Sequence, residues 1–278
     1  MLAALIIVFR EVFEAGLIVG ILLAATRIVA HRSWWIAGGV TGGALGACIV
    51  AMFTRTLSAA FAGVGQELFN ATILGLAVVM LAWHNVWMAR HSRELAAEMR
   101  AAGEAVVSGS KSLAGLAIVV GIAVLREGVE VVLFLYGISA SEGGSAYALF
   151  IGGLGGLALG AFVSVLTYLG LLAIPVRHLF NVTGIMIAFL AAGMAAQAVF
   201  FLEQANVITA LGSIVWDTSW IVTDKSLLGR ALRTLIGYVD QPTAMELVAY
   251  VTTLVVIFTL MRVFAPEPRP KPTVPFRA

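Results

Sequence analysis

Residues 5–14 of this chain read Leu-Ile-Ile-Val-Phe-Arg-Glu-Val-Phe-Glu, which places an Arg-Glu-x-x-Glu motif inside an apolar segment. Residues 121–130 read Gly-Ile-Ala-Val-Leu-Arg-Glu-Gly-Val-Glu and repeat the motif in a second apolar segment. Apart from these charges, each segment belongs to an apolar run of the roughly 20 residues that a transmembrane helix needs. Ionisable residues inside a membrane helix are expensive, so both motifs are functional candidates.

The composition agrees with a polytopic membrane protein and excludes several other classes. Of the 278 residues, 61% are hydrophobic and 12% are charged, whereas a soluble domain carries about 25% charged residues. The mean hydropathy of +1.01 excludes a disordered chain. The net charge of +2 is small for a nucleic-acid-binding protein, so we expect no nucleic-acid partner. The single cysteine, Cys48, can form neither an internal disulfide nor a Cys-x-x-Cys metal site.

The predicted fold class is all-α, a bundle of seven transmembrane helices. The predicted spans are 2–26, 34–53, 66–89, 113–137, 147–174, 178–202 and 244–264. The first span is predicted to be retained rather than cleaved as a signal peptide, because it lacks a basic n-region and carries charges within its apolar run. Glycine-rich runs at 38–43 and 152–156 are predicted to let helices pack closely in the bilayer.

The distribution of Lys and Arg predicts the orientation, because cytoplasmic connections carry an excess of both. Most basic residues fall in the connections that share a side with the C-terminus, which places the N-terminus outside and the C-terminus in the cytoplasm. Residues 90–111 alternate in charge, which predicts a solvated helix. Residues 227–236 show an amphipathic helical pattern, which is typical of a helix on the outer membrane surface.

The spacing of the motif brings its charges onto one helix face. Its two glutamates are three residues apart and therefore lie about 60° apart around a helix, and its arginine can pair with the second glutamate four residues on. A buried ion pair does not stabilise a protein by itself, and each motif carries surplus negative charge. We therefore interpret the motifs as a ligand site. The carboxylates are Glu11, Glu14, Glu127 and Glu130, with Arg10 and Arg126 as charge partners.

The motifs lie in the first and fourth predicted spans, which run in opposite directions. Spans one to three and four to six therefore predict a 3+3 inverted repeat with one added helix, and such repeats hold their substrate near the midplane. The predicted domain covers 1–265, with repeat one at 1–90, repeat two at 113–203, the last span at 244–264 and a Pro-rich cytoplasmic tail at 266–278.

Four carboxylates without a Cys or His ligand favour a hard cation. His84 lies inside the third predicted span and is interpreted as a hydrogen-bonded interior residue, whereas the other histidines fall at span ends. Glu67, at the outer end of span three, is a further candidate ligand. Three outer acidic residues are candidates for an entrance, although each is more simply a surface charge: Glu142, Asp217 and Glu203.

The paired motifs in a chain of this size resemble the high-affinity iron permease family, the oxidase-dependent iron transporters, with its bacterial ferrous iron permease branch. The resemblance covers essentially the whole chain. Besides the motifs it includes Gln66-Glu67-Leu68-Phe69, Trp87-Met88, Trp216-Asp217-Thr218-Ser219, Ser226-Leu227-Leu228-Gly229, Gly237-Tyr238 and Pro242.

The resemblance implies an iron channel or carrier of the bacterial inner membrane rather than an enzyme. In the family the motif glutamates bind iron during passage, which carries onto the four motif glutamates here. Iron is then the transported substrate and no permanent cofactor is implied. The expected partners are iron ions, membrane lipid and a periplasmic iron-binding or oxidase protein.

Two positions depart from the family pattern. The first motif usually reads Arg-Glu-Gly-Leu-Glu, and the bulkier Val12 and Phe13 found here would narrow the path or alter packing. Asn70 stands where relatives often have a second acidic residue after Glu67. Two alternatives remain: a permease for another cation such as Mn²⁺ or Pb²⁺, and a di-iron membrane oxidoreductase. The second fits less well, because di-iron bundles use Glu-x-x-His motifs.

Overall fold

Long apolar runs of the sequence become long helices. The computed structural model describes residues 1–60, 65–142, 146–171, 176–224 and 226–264. In these residues the chain is all-helical, as predicted, and no strand is formed. The helices are α1 (Leu2–Ala25), α2 (Arg32–Ala60), α3 (Gln66–Val107), α4 (Leu113–Glu142), α5 (Ala146–Tyr168), α6 (Val176–Gln204), α7 (Leu227–Ile236) and α8 (Ala244–Val263).

Within the described ranges, five helices are long and apolar enough to cross a membrane, so the protein is a multi-pass membrane protein. The segments concerned are Arg32–Phe53, Gln66–Met88, Ala146–Tyr168, His178–Gln204 and Ala244–Val263. The helices α1 and α4 also have the length of a span, with 24 and 30 residues, but each holds the three charged residues of one motif near its middle. The predicted count of seven spans therefore depends on these two helices.

The structure moves several predicted boundaries, and α5 and α3 show two of these changes. The fifth span was expected to reach residue 174, but α5 ends at Tyr168 because the chain turns at Gly170 with φ of +70°, a conformation that glycine adopts without strain. The third span and the solvated segment after it form one continuous helix, α3, of 42 residues. Its length is therefore about 60 Å, twice the thickness of the hydrocarbon core of a bilayer.

The amphipathic helix predicted at 227–236 is confirmed as α7. It begins after Ser226, whose hydroxyl accepts a hydrogen bond from the Gly229 amide at 2.9 Å. It ends at Gly237, which has φ of +70°. A serine cap and a left-handed glycine are the usual start and stop of a short helix.

Two close helix pairs, α1 with α5 and α2 with α4, form along stripes of small residues. The buried face of α5 consists of Gly152, Gly156, Gly160 and Ser164, one residue at every fourth position. A Cβ added at Gly156 would lie 2.6 Å from the Leu5 carbonyl oxygen, and one added at Gly43 would lie 2.6 Å from that of Gly121. The backbones of each pair are therefore in contact, which confirms the packing role of the glycine-rich runs.

The third residue of each motif, Val12 or Gly128, packs against the other helix of its pair. In the α1–α5 pair the larger side chain belongs to the motif residue, whereas in the α2–α4 pair it belongs to the residue on the other helix. In the α1–α5 pair, a Cβ added at Gly160 would lie 2.9 Å from the Cβ of Val12. In the α2–α4 pair, one added at Gly128 would lie 2.5 Å from the Cβ of Ala47. The family pattern predicts glycine at position 12, so Val12 changes the packing between α1 and α5. Gly160 leaves room for the larger side chain of Val12.

Two apolar clusters lie on either side of the motifs along the helix axes. The first includes Ile7 of α1 and Phe134 of α4, together with residues of α3, α6 and α8. The second includes Leu22 of α1 and Val120 of α4, together with Val106 at the end of α3. Because both motifs fall between these positions in sequence, their charges occupy a polar layer between two apolar layers.

We expect Gly160→Ala to destabilise the protein, because its Cβ would lie 2.8 Å from the Phe9 carbonyl oxygen and 2.9 Å from the Val12 side chain. Overpacking of this kind costs about 1–3 kcal/mol. Thermal unfolding of the purified protein in detergent would measure the loss, and a second change, Val12→Gly, should recover part of it.

Gly153→Ala, on the same helix, is the matched control, because no atom lies within 4 Å of its added Cβ. Equal losses for Gly153→Ala and Gly160→Ala would contradict the close packing of α1 on α5.

Candidate metal centre

Three helices, α1, α3 and α4, bring seven ionisable side chains together in the polar layer. Glu11 is 0% exposed, and Arg10, Glu14, Glu127 and His84 are each buried. The side chain of Glu130 is 12% exposed. Charged groups are rarely buried without a partner, so the contacts of each one decide what the layer can do.

The first motif forms a buried ion pair within α1. The Arg10 Nε donates a hydrogen bond to the Glu14 Oε1 at 2.8 Å. This is the pairing predicted from the spacing of four residues. It leaves Glu11, the other carboxylate of the motif, without a cation of its own.

The second motif makes the equivalent pair in a more open position. The Arg126 Nε donates to the Glu130 Oε1 at 3.2 Å, and the Arg126 side chain is 43% exposed. Its guanidinium also lies over the ring of Trp87, 4.7 Å from the centroid. The two arginines therefore hold equivalent sequence positions in unequal environments.

His84 of α3 joins the two motifs. Its Nε2 lies 3.2 Å from the Glu14 Oε2, and its Nδ1 lies 2.5 Å from the Glu130 Oε2. The sequence predicts an interior histidine with hydrogen-bonding partners, and this is confirmed. His84 is not among the candidate ligands that the sequence predicts, and the structure places its ring between carboxylates of both motifs. The signal available was that His84 is itself an ionisable residue inside a predicted span.

Four side chains can supply one ligand atom each to a single ion. These atoms, from Glu11, His84, Glu127 and Glu130, all lie within 4.8 Å of one another. An ion with ligands at about 2.0–2.6 Å holds opposite ligand atoms about 4–5 Å apart. The separation therefore suits one metal ion at the junction of the three helices.

Unsatisfied carboxylate oxygens mark the same place. Both oxygens of Glu11 and the Oε2 of Glu127 are buried and have no hydrogen-bond partner among the described residues. An unpaired buried acceptor costs about 1–3 kcal/mol, and more when it is charged. The two motifs also hold more carboxylates than guanidinium groups. A bound cation would supply the missing partner.

An apolar cleft reaches this centre from the side. It has a volume of about 610 Å³ and lies between the α1–α5 pair and the α2–α4 pair. Glu11 and Glu127 are the charged residues on its wall, and it extends along α1 as far as Leu23. The motif glutamates are thus reached through a gap between two tightly packed units.

The outer acidic candidates lie apart from the centre. Glu67 is exposed on the first turn of α3, 17 residues before His84 and therefore about 25 Å from it along the helix. The carboxylate of Glu203 accepts a hydrogen bond from the Thr243 hydroxyl at 3.0 Å. The side chain of Glu142 lies outside the residues that the structure describes.

Asp217 is held within the outer connection. Its carboxylate accepts hydrogen bonds from the hydroxyl and the amide of Ser219 and from the Gln241 side chain. The hydrogen bonds from Ser219 lower the pKa of the Asp217 carboxyl below its ordinary value. The group is therefore a charged surface residue with local partners.

Comparison with known proteins identifies the family of the chain. The iron permease FTR1 family matches residues 1–266. The chain belongs to this family. A ferrous iron permease EfeU of Yersinia pestis is 29% identical over 260 residues, which are 92% of this chain and 91% of that protein. One of Escherichia coli O6:H1 is 30% identical over 259 residues, which are 92% and 93% of the two chains. No solved structure matches significantly.

Membership of a permease family has two direct consequences. This permease is a transporter and not an enzyme, which removes the di-iron oxidoreductase from consideration. The resemblance drawn from the motifs is confirmed over the whole membrane region.

The two motif arginines should differ sharply in their effect on stability. Arg10→Met leaves the buried Glu14 without its main cation, and breaking a buried pair typically costs about 3–5 kcal/mol. Arg126→Met breaks a pair whose carboxylate, Glu130, is 12% exposed, against 2% for Glu14, so we expect a smaller loss. Denaturant unfolding in detergent, followed by tryptophan fluorescence, would compare the variants. Equal losses would show that the difference in burial has no energetic consequence.

Proposed function

We propose that this permease imports iron across the bacterial inner membrane and that iron passes through the centre formed by the two motifs. The observation that carries the proposal is the group of buried carboxylates, Glu11 and Glu127 above all, whose oxygens have no partner in the described residues. Carboxylates suit hard cations, and one imidazole is compatible with iron. The iron permeases among the relatives support iron as that cation.

Each arginine acts as an internal substitute for iron. When no ion is bound, Arg10 holds Glu14 and Arg126 holds Glu130. An arriving ion is bound by Glu11 and Glu127 and recruits the remaining carboxylates from their arginines. The motif therefore keeps a negatively charged site folded between transport cycles, since an uncompensated buried charge is strongly destabilising.

Iron moves by a carrier mechanism rather than through an open pore. The two apolar clusters close the centre along the helix axes. The α1–α5 and α2–α4 pairs have touching backbones and so move as rigid bodies. The cleft between the pairs is where they separate to release iron, as in the rocking of transporter repeats. Glu67 and the outer acidic residues Asp217, Glu203 and Glu142 attract iron before it enters.

The membrane domain over 1–265 has seven spans and a 3+3 inverted repeat, with repeat one at 1–90, repeat two at 113–203 and the last span at 244–264. The packing supports this proposal. A two-fold axis that exchanges α1 with α4 and α2 with α5 converts the α1–α5 pair into the α4–α2 pair, and both pairs pack along glycines. The proposed cytoplasmic tail, 266–278, lies outside the described residues.

Fe(II) is the form that we propose reaches the centre, because the relatives are named ferrous iron permeases. A periplasmic iron-binding or oxidase protein would deliver the ion to the outer face, where α7 and the connections around it lie.

Uptake of radioactive iron into proteoliposomes tests the function directly. We expect the wild-type protein to take up Fe(II) that is kept reduced by ascorbate. The uptake rate of Glu127→Gln and of Glu11→Gln should fall at least about ten-fold, because even a change in a residue that only hydrogen-bonds to a metal ligand costs about 10–100-fold in affinity or activity. Chelated Fe(III), Mn²⁺ and Pb²⁺ are offered in parallel to define the ion.

Glu94→Gln, an exposed carboxylate further along α3, is the matched control and should transport normally. Normal iron uptake by Glu127→Gln would overturn the proposed role of the motifs. Uptake of Mn²⁺ or Pb²⁺ with iron excluded would make the protein a permease for that other cation.

The proposed orientation can be tested with single cysteines in a Cys48→Ala background, because Cys48 is the one native cysteine. Ala210→Cys, in the connection after α6, should react with a membrane-impermeant maleimide in intact spheroplasts. Ser110→Cys, after α3, should react only after permeabilisation. Both sites are exposed in the structure. The reverse pattern would place the N-terminus in the cytoplasm.

A further inference from the structure

We propose that His84 is a direct ligand of the transported ion and makes the centre prefer Fe(II) over Ca²⁺, Mg²⁺ and Mn²⁺. The inference rests on the proposed iron import and names a residue that determines the selectivity of the same centre. His84 belongs to neither Arg-Glu-x-x-Glu motif and comes from a third helix, α3.

The imidazole of His84 lies among carboxylates of both motifs. One of its nitrogens lies with carboxylate oxygens of Glu11, Glu127 and Glu130 in a group whose ligand atoms are all within 4.8 Å of one another. Its Nε2 is 3.8 Å from the Glu11 Oε2. An ion bound to Glu11 and Glu127 would therefore lie next to an imidazole nitrogen.

A purely structural histidine would leave the centre satisfied, and this one does not. His84 contacts Glu14 and Glu130, yet both Glu11 oxygens and the Glu127 Oε2 stay buried without a hydrogen-bond partner in the described part of the chain. Glu11 and Glu127, which hold these unpaired oxygens, each place one carboxylate oxygen within 4.8 Å of an imidazole nitrogen. The four side chains therefore have the geometry of a metal-ligand set, in which His84 supplies the nitrogen ligand.

The helix that carries His84 is held in register. The side-chain amide of the next residue, Asn85, is buried and donates to the Gly184 carbonyl of α6 at 2.9 Å. Leu81, one turn earlier, is fully buried in the first apolar cluster. These contacts fix the height at which α3 presents the imidazole, and a fixed ligand discriminates between ions better than a mobile one.

Ligand chemistry then gives the selectivity. Carboxylate, carbonyl and water oxygens suit Mg²⁺, Ca²⁺ and Mn²⁺, whereas imidazole suits iron and the later transition metals. A site of carboxylates alone would discriminate poorly against the abundant hard cations. One nitrogen ligand among the carboxylates shifts the preference toward Fe(II), which lies above Mn²⁺ in the affinity order of divalent metals.

The first measurement uses the wild-type protein, so that it does not depend on the folding of a variant. Purified full-length permease in lipid nanodiscs is loaded with Fe(II) under anaerobic conditions and studied by X-ray absorption spectroscopy. We expect the scattering pattern of one imidazole in the iron shell. A shell of oxygen ligands alone, at full iron occupancy, would overturn the proposal.

The second measurement compares His84→Gln with His91→Gln. His91 lies two turns further along α3, stacks on Trp87 and has no contact with the motifs among the described residues, so it is a matched control. We expect His84→Gln to lower the preference for Fe(II) over Mn²⁺ and Ca²⁺, measured by competition binding, at least about ten-fold, the scale on which metal-site changes act. His91→Gln should keep the wild-type preference.

The outcomes separate this inference from the proposed function. An unchanged ion preference in His84→Gln, together with loss of uptake in Glu127→Gln, would overturn the role of His84 and leave iron import through the motifs intact. Normal uptake by Glu127→Gln would overturn both. Restored Fe(II) preference when free imidazole is added to a His84→Gly variant would support His84 as the ligand.

Discussion

The structure depends on the cost of keeping four carboxylates inside a membrane protein. Glu11 and Glu127 have buried oxygens without partners in the described residues, and burying an ionised carboxylate in an apolar medium is among the most unfavourable steps in folding. The remaining charges reduce that cost: Arg10 holds Glu14, Arg126 holds Glu130, and His84 contacts both. The result is a layer whose charges are partly neutralised, with carboxylates still in excess of guanidinium groups.

The rest of the fold keeps this layer in place. Apolar clusters flank it on both sides, and an apolar surrounding strengthens the buried contacts such as Arg10–Glu14. The glycine stripes bring α1 against α5 and α2 against α4 so closely that backbones touch, which is how helices gain packing energy where lipid removes the hydrophobic driving force. These close contacts within the α1–α5 and α2–α4 pairs stabilise the helix bundle, so the arrangement of the carboxylates is not needed for that purpose.

Much of this could be predicted from the sequence, because it depends on spacing along one helix. The pairing of Arg10 with Glu14 follows from a separation of four residues, and the helical content follows from long apolar runs. The contacts of His84 with both motifs could not be predicted in the same way. A single sequence does not show which face of α3 meets α1 and α4, so an interior histidine at a site and one in a core look alike. The early end of α5 depended on Gly170 adopting a positive φ, which apolar periodicity does not reveal.

The close contacts of Val12 with Gly160 and of Gly128 with Ala47 restrict which residues can be exchanged during evolution. Val12 fits because residue 160 is glycine, and Gly128 fits against Ala47. Each motif's third position therefore shares one fixed volume with a residue on another helix, and neither member of a pair can grow alone. Among relatives with a β-branched residue at position 12, position 160 should be glycine, because the Phe9 carbonyl oxygen, 2.8 Å from a Cβ at 160, already opposes any larger residue there. The amino acid at the third position of each motif thus depends partly on a neighbouring helix that lies outside the motif.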